Sequence, residues 1–204
     1  MLEEARAYLA RAKKVNLIMV AVNILVFAAL SLLGRTEDSQ FMLRMGAGYA
    51  PLIRQGEYYR LLTSMFMHFG LQHLIYNMIC LLSLGDLLEG IVGPAVYLVI
   101  YLFGGLGGNL ASMAWETRTG RYAVSAGASG AIFAVIGALL AILLLARNHR
   151  NQNFIRRLML MAVLMIAQGF LDTGTDNAAH IGGFAAGALL ALVLWPLIRR
   201  RRRA

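Results

Sequence analysis

Charge and cysteine are both scarce in this chain. Charged residues make up 14% of its 204 positions and hydrophobic residues 59%, too little polarity for an ordinary water-soluble domain. The single cysteine, Cys80, excludes a disulfide within the chain, and its place in an apolar run suits packing rather than reactivity. Metal chemistry has no motif here: there is no His-Glu-x-x-His pattern and no pair of carboxylates at ligand spacing on a helix. Phosphate-binding loops and dinucleotide fingerprints are absent too, since Gly104, Gly105, Gly107 and Gly108 follow no strand. No cofactor is expected. Acidic residues are few, ten against nineteen basic, for a net charge of +9. The basic residues gather in short segments beside apolar runs, which marks membrane orientation rather than a nucleic-acid surface.

What the chain has is apolar runs. The first, 15–33, nearly spans a ~30 Å hydrocarbon core at about 1.5 Å per residue. No small-residue cleavage site follows it, so it reads as a retained helix rather than a signal peptide. Five more runs follow, at about 68–88, 95–115, 126–146, 154–171 and 178–198. Pro94 suits the first turn of the third, and the glycines of that run permit close helix contact. The expected fold is an all-α polytopic membrane protein of six transmembrane helices, one domain over 15–198. A charged tail, 1–14, lies on the membrane surface, and a basic tail, 199–204, closes the chain. Between the first two runs, 34–67 mixes Arg35, Glu37, Asp38, Arg44, Arg54 and Arg60 with Phe41, Met42, Leu43, Leu52 and Ile53. Such a mixture suits a loop lying partly in the membrane interface.

Alternate segments differ in basic residues. Four lie in 1–14, none between the second and third runs, four between the fourth and fifth (Arg147, Arg150, Arg156, Arg157), and five in Arg199–Arg203, thirteen in all; the opposite side holds six. The excess places both termini in the cytoplasm. Runs two, four and six then start on the outer side, and His73 with Asn77, Ser129 and His180 each fall near one of those starts. Counted at 1.5 Å per residue from Arg121 and Asp176, Ser129 and His180 lie roughly 6–12 Å deep, shielded from bulk water yet reachable by it.

A serine flanked by glycines has a bland use in helix packing. An ionisable histidine inside a second apolar run is costly and marks function. Together Ser129 and His180 suggest a nucleophile and its general base. Gly182, Gly183 and Gly187 read as the seam that lets the sixth helix approach the fourth. A transporter using His68, His73, Asn77 and His180 is the rival reading, but no internal repeat is evident and the polar residues sit off the midplane.

Three strings, Gly127-Ala128-Ser129-Gly130, Ala179-His180-Ile181-Gly182-Gly183 and His68-Phe69-Gly70-Leu71-Gln72-His73-Leu74-Ile75-Tyr76-Asn77, resemble the rhomboid family of intramembrane serine proteases. The resemblance runs from about Gly56 to the end of the last apolar run. It implies a Ser129–His180 dyad without a triad carboxylate, Asp176 belonging to a polar loop or helix start. His73, Asn77 and the Ser129 N–H would stabilise the oxyanion, as a buried negative charge requires; for Asn77 an interhelical hydrogen bond is the alternative. Supporting positions are His68, with a loop-ordering or a catalytic role, Gly127 for close packing, and Asn177 as helix cap or water ligand. Phe133 stands where the family has a tyrosine stacked on the histidine, keeping the ring and losing the hydroxyl. Tyr59-Arg60 stands for a Trp-Arg pair, and Glu89 matches a glutamate read here as a structural hydrogen bond. Substrates would be single-span membrane proteins within the bilayer of a bacterial inner membrane. A catalytically dead relative that binds membrane clients usually lacks the serine or the histidine, and both are present.

Overall fold

Lys14–Leu33, the first long helix (α1), is apolar over nearly all its length and ends at Gly34. The computed structural model describes residues 13–146, 152–171 and 174–201. The expected surface segment 1–14, apart from its last two residues, lies outside these, as do Arg147, Arg150, Asp172, Arg202 and Arg203. Among the described residues every regular element is helical, and the β-pairing is confined to a bridge between Gly48 and Ser125.

No side chain of its own caps α1. Its first N–H groups, which have no partner within the helix, find acceptors further along the chain. Glu89 accepts from the N–H groups of Val15 (3.3 Å) and Asn16 (2.7 Å), and Asp86 from that of Lys13 (2.6 Å). Glu89 thus has the structural hydrogen bonding expected of it.

The segment 34–67 is more ordered than its composition suggests. It folds into three short helices, α2 (Ser39–Met45), α3 (Ala50–Arg54) and α4 (Arg60–Thr63), and a 3₁₀ turn, Ser64–Phe66. Asp38 caps α2 by accepting from the Gln40 N–H at 2.8 Å. Phe41, Met42, Ala47 and Met67 pack with Leu30 into a small core of their own. Arg60 is buried and joins the loop together: its guanidinium donates to the carbonyls of Leu43 (2.7 Å) and Ala47 (2.8 Å) and pairs with Glu57 (2.7 Å). Tyr59 is exposed, donates to Glu57 at 2.7 Å, and carries the Arg60 guanidinium over its ring at 5.4 Å.

The second run covers Gly70–Val92 rather than 68–88, so His68 precedes the helix. It comprises α5 (Gly70–Cys80), a π-helical stretch Leu81–Gly85, and α6 (Asp86–Val92). Asn16 reaches into the widened stretch: its amide donates to the Leu81 carbonyl at 3.0 Å and accepts from the Tyr97 hydroxyl at 2.6 Å. A π-helical insertion leaves carbonyls poorly paired, and a neighbouring polar side chain satisfies them. The third run, α7 (Pro94–Thr119), extends four residues beyond the expected end, so Glu116 and Arg118 are helical.

Two expected spans differ in kind. The fourth, expected from Ala126, starts at Ser129 and gives the 17-residue α8 (Ser129–Leu145), because 121–128 is not helical and is tied by hydrogen bonds to other segments. A depth counted helically from Arg121 therefore does not hold. The sixth, expected as one helix over 178–198, is α10 (Asn177–Val193) followed by α11 (Trp195–Arg201), bent by 63°. Pro196 is the cause, for it cannot donate to the carbonyl one turn back. Among the described residues four stretches, Lys14–Leu33, Gly70–Val92, Pro94–Thr119 and Gln152–Phe170, are long and apolar enough to cross a membrane, and the bent pair makes a fifth if it counts as one span. The fifth run of the sequence is α9 (Gln152–Leu171).

At the centre is α8. Every residue from Gly130 to Leu140 is buried, as suits a helix that is apolar on all sides. At ~1.5 Å per residue it is about 25 Å long, short of the ~30 Å hydrocarbon core. α7 and α10 pack most extensively against it and each other. The α8–α10 contact is nearly backbone on backbone: a methyl group at Gly183 would strike the Gly130 carbonyl, and one at Gly187 the Ala134 carbonyl.

Candidate active site

Ser129 is the first residue of α8 and His180 lies in the first turn of α10. The glycine seam brings these turns together, and the Ser129 Oγ is 2.9 Å from the His180 Nε2. Phe133, one turn further along α8, stacks on the imidazole with centroids 4.3 Å apart and planes 17° from parallel. His180 is 94% buried, and its Nδ1 has no hydrogen-bond partner among the described residues.

The segment before Ser129 is held from both sides. Gly48 and Ser125 exchange backbone hydrogen bonds at 2.8 and 2.9 Å, and the Gly127 N–H donates to the Ser64 carbonyl at 2.9 Å. Gly127 has φ +149, a conformation that disfavours any side chain, and a Cβ there would lie 2.8 Å from the His73 ring. Glycine is required on both counts. His68 is fully buried behind this segment, its Nε2 3.4 Å from the Ala128 N–H and its ring edge-on to that of His73 at 5.2 Å.

The first bond of the α8 ladder runs from the Ile132 N–H to the Ala128 carbonyl at 2.9 Å. The N–H groups of Ser129, Gly130 and Ala131 lie ahead of it, a helix start suited to developing negative charge. His73 and Asn77, four residues apart on α5, line the same cavity. The Asn77 amide donates to the His73 carbonyl of its own helix at 2.9 Å, so the hydrogen bond made here is intrahelical rather than interhelical. That amide has a second N–H.

A cavity of about 730 Å³ opens over these groups, walled by α5, α7, α9 and the segment 121–128. It suits an extended peptide more than an ion. Asn177 also lines it, with its side chain against Gly169 of α9 and its Oδ1 buried without a partner among the described residues. The cap of α10 is Asp176, not Asn177: its Oδ1 accepts from the Ala179 N–H at 2.9 Å. The other carboxylate oxygen accepts from the Ser112 hydroxyl at 2.5 Å. Among the described residues no carboxylate bonds to the His180 ring.

Asn109, Ser112 and Glu116, which no sequence motif singled out, also line the cavity. A polar residue at steps of three and four along an otherwise apolar, glycine-rich helix was the available signal.

The family model described as "Rhomboid domain" matches residues 55–197. The chain is 34% identical over 177 residues to Rhomboid protease GluP of Bacillus subtilis, covering 87% of this chain and 34% of that protein. To RHOMBOID-like protein 5 of Arabidopsis thaliana it is 39% identical over 153 residues, 74% of this chain and 48% of that one. To Rhomboid-like protease 3 of Toxoplasma gondii it is 30% identical over 178 residues, 84% and 66% of the two chains. The chain thus spans a third to a half of the first two relatives' length.

Proposed function

The chain belongs to the rhomboid family, and from that membership we propose that it is an intramembrane serine endopeptidase working through a Ser129–His180 dyad. The protease domain is assigned to 15–198, with 1–14 and 199–204 as tails. The observation that carries the reading is the 2.9 Å contact between the Ser129 Oγ and the His180 Nε2 at the floor of a peptide-sized cavity. A serine hydroxyl is a weak nucleophile unless an adjacent base takes its proton.

In the proposed reaction the Ser129 Oγ attacks the scissile carbonyl while His180 Nε2 accepts the hydroxyl proton. The tetrahedral oxyanion lies against the N–H groups that open α8, with His73 and the second Asn77 N–H as side-chain donors. His180 then gives its proton to the leaving amine, which departs with the C-terminal product. Water attacks the acyl-enzyme, its proton passing to His180 and then to the serine oxygen. Stacking on Phe133 supplies the orientation that a carboxylate supplies in a soluble triad. His68, behind the Gly127–Ala128 backbone, serves by supporting that segment.

The proposed substrates are single-span membrane proteins, entering the cavity as unwound segments because helical hydrogen bonding shields the scissile carbonyl. Charge distribution favours both termini in the cytoplasm of a bacterial cell and a cavity opening on the outer side. A fluorophosphonate probe tests the chemistry directly. Labelling should map to Ser129 and vanish in His180→Ala; a folded protein whose Ser129 stays unlabelled, or labels equally without His180, overturns the proposal.

A further inference from the structure

Asn109, Ser112 and Glu116 occupy one face of α7 at steps of three and four, and each bonds to a different part of the candidate site. The Asn109 amide donates to the Leu61 carbonyl (2.7 Å) and the Ser64 Oγ (3.0 Å), and the Ser64 carbonyl in turn takes the Gly127 N–H. Glu116 accepts the Ala123 N–H at 3.1 Å, fixing the start of the non-helical segment that leads to Ser129. Ser112 holds the other partner. Its hydroxyl donates to Asp176, whose second oxygen caps α10 and whose backbone carbonyl accepts the His180 N–H at 3.1 Å. Apart from Ser129 and His180 themselves, neither α8 nor α10 brings a polar side chain to the packed seam among the described residues, so little outside the pair resists sliding or rotation of one against the other. Apolar contacts between smooth glycine-lined helices set separation well and rotation poorly; directional hydrogen bonds supply what is missing.

We propose that this face of α7 is the frame on which nucleophile and base are assembled, with Ser112 and Asp176 acting as positioning residues for His180. The inference rests on the dyad reading above. Neither residue touches the reacting atoms. They act by holding the first turn of α10 at the rotation that aims Nε2 at the serine.

Ser112→Ala is the sharpest variant, because it removes the clasp and leaves Asp176 to cap α10. Its kcat should fall about 10–100-fold, the scale of an ångström misplacement, while KM and thermal midpoint hold near wild type. Ser112→Thr, which keeps a hydroxyl, should restore most of the rate. Asp176→Ala, which removes the α10 cap as well, should lose at least as much, and the double variant no more than Asp176→Ala alone, since the Ser112 contact is already gone in that variant. Asp176→Asn should stay within about tenfold of wild type, because an amide can still accept at the cap and donate to Ser112. Nitrogen NMR of labelled histidine gives a readout that needs no turnover: in Ser112→Ala the His180 Nε2 resonance should move toward its position in Ser129→Ala.

A Ser112→Ala rate within about twofold of wild type and an unmoved His180 resonance would overturn the positioning role. So would additive losses in the double variant. A fall of ~10³ or more for Asp176→Asn, with the fold intact, would make Asp176 a member of a triad instead. If Ser129→Ala cleaves as well as wild type, the protease reading fails, and the histidine resonance alone then decides the clasp.

Discussion

Replacing Gly183 by alanine puts one methyl group where α8 and α10 touch. The added carbon would lie 3.0 Å from the Gly130 carbonyl carbon and closer still to its oxygen. That obstacle is backbone in the second residue of a helix buried on all sides, so no rotamer can relieve it. The helices must part by about 1 Å to restore ordinary van der Waals contact. Gly130 adjoins Ser129, and His180 lies one turn before Gly183, so the parting falls on the candidate pair itself. A separation of 2.9 Å would become about 3.9 Å, beyond hydrogen-bond range. A misplacement of this size costs about 10² in rate, or roughly 2.7 kcal/mol of transition-state stabilisation. Overpacking adds a destabilisation of about 1–3 kcal/mol. The assay is cleavage of a single-span substrate in proteoliposomes, with kcat and KM fitted separately and a thermal melt in parallel. Gly90→Ala is the control, because its methyl would meet only the end of Lys13 at 3.4 Å. A Gly183→Ala enzyme that keeps its rate within about threefold, properly folded, would refute the link between seam and site.

Three further outcomes are expected. His73→Ala and Asn77→Ala should each lower kcat by about 10²–10³ with little change in substrate binding; loss of fold without a separable kinetic defect would make the residue structural. Arg60→Ala strands the buried carbonyl of Ala47 and takes one of two donors from the half-buried Leu43 carbonyl, a cost of about 1–3 kcal/mol for the unsatisfied group, seen as a lower thermal midpoint. Glu57, whose carboxyl the Tyr59 hydroxyl and then the Arg60 guanidinium hold below its ordinary pKa, adds stability above the usual carboxylate range. That contribution is lost as pH falls through the lowered value, so the Arg60→Ala and wild-type midpoints should converge in acid. In a Cys80→Ala background, Arg118→Cys should react with an impermeant thiol reagent from outside intact cells and Asn151→Cys should not. The reverse pattern would turn the cavity toward the cytoplasm.

The apolar runs, and with them an all-helical membrane fold, were legible in the sequence because hydrocarbon admits only long apolar stretches whose backbone bonds to itself. Candidate residues were legible for a related reason: Ser129 beside glycines and His180 in an apolar run are expensive or odd choices without a use. Pro196 was legible as well, though it went unread, and it breaks the last helix. Other features were set only by folding. That α8 opens at Ser129 and not Ala126 depends on Gly48 and Ser64, which hold the backbone of Ser125 and Gly127 from more than sixty residues away. Asp176 read as a polar-loop or helix-start residue, but only folding brings Ser112, sixty-four residues earlier, onto its carboxylate, and only folding sets Glu116 against the Ala123 N–H. Local sequence reports a segment's cost of transfer into lipid, because that cost is a sum over its own residues. Hydrogen bonds between distant segments depend on which helix faces which, and packing alone decides that.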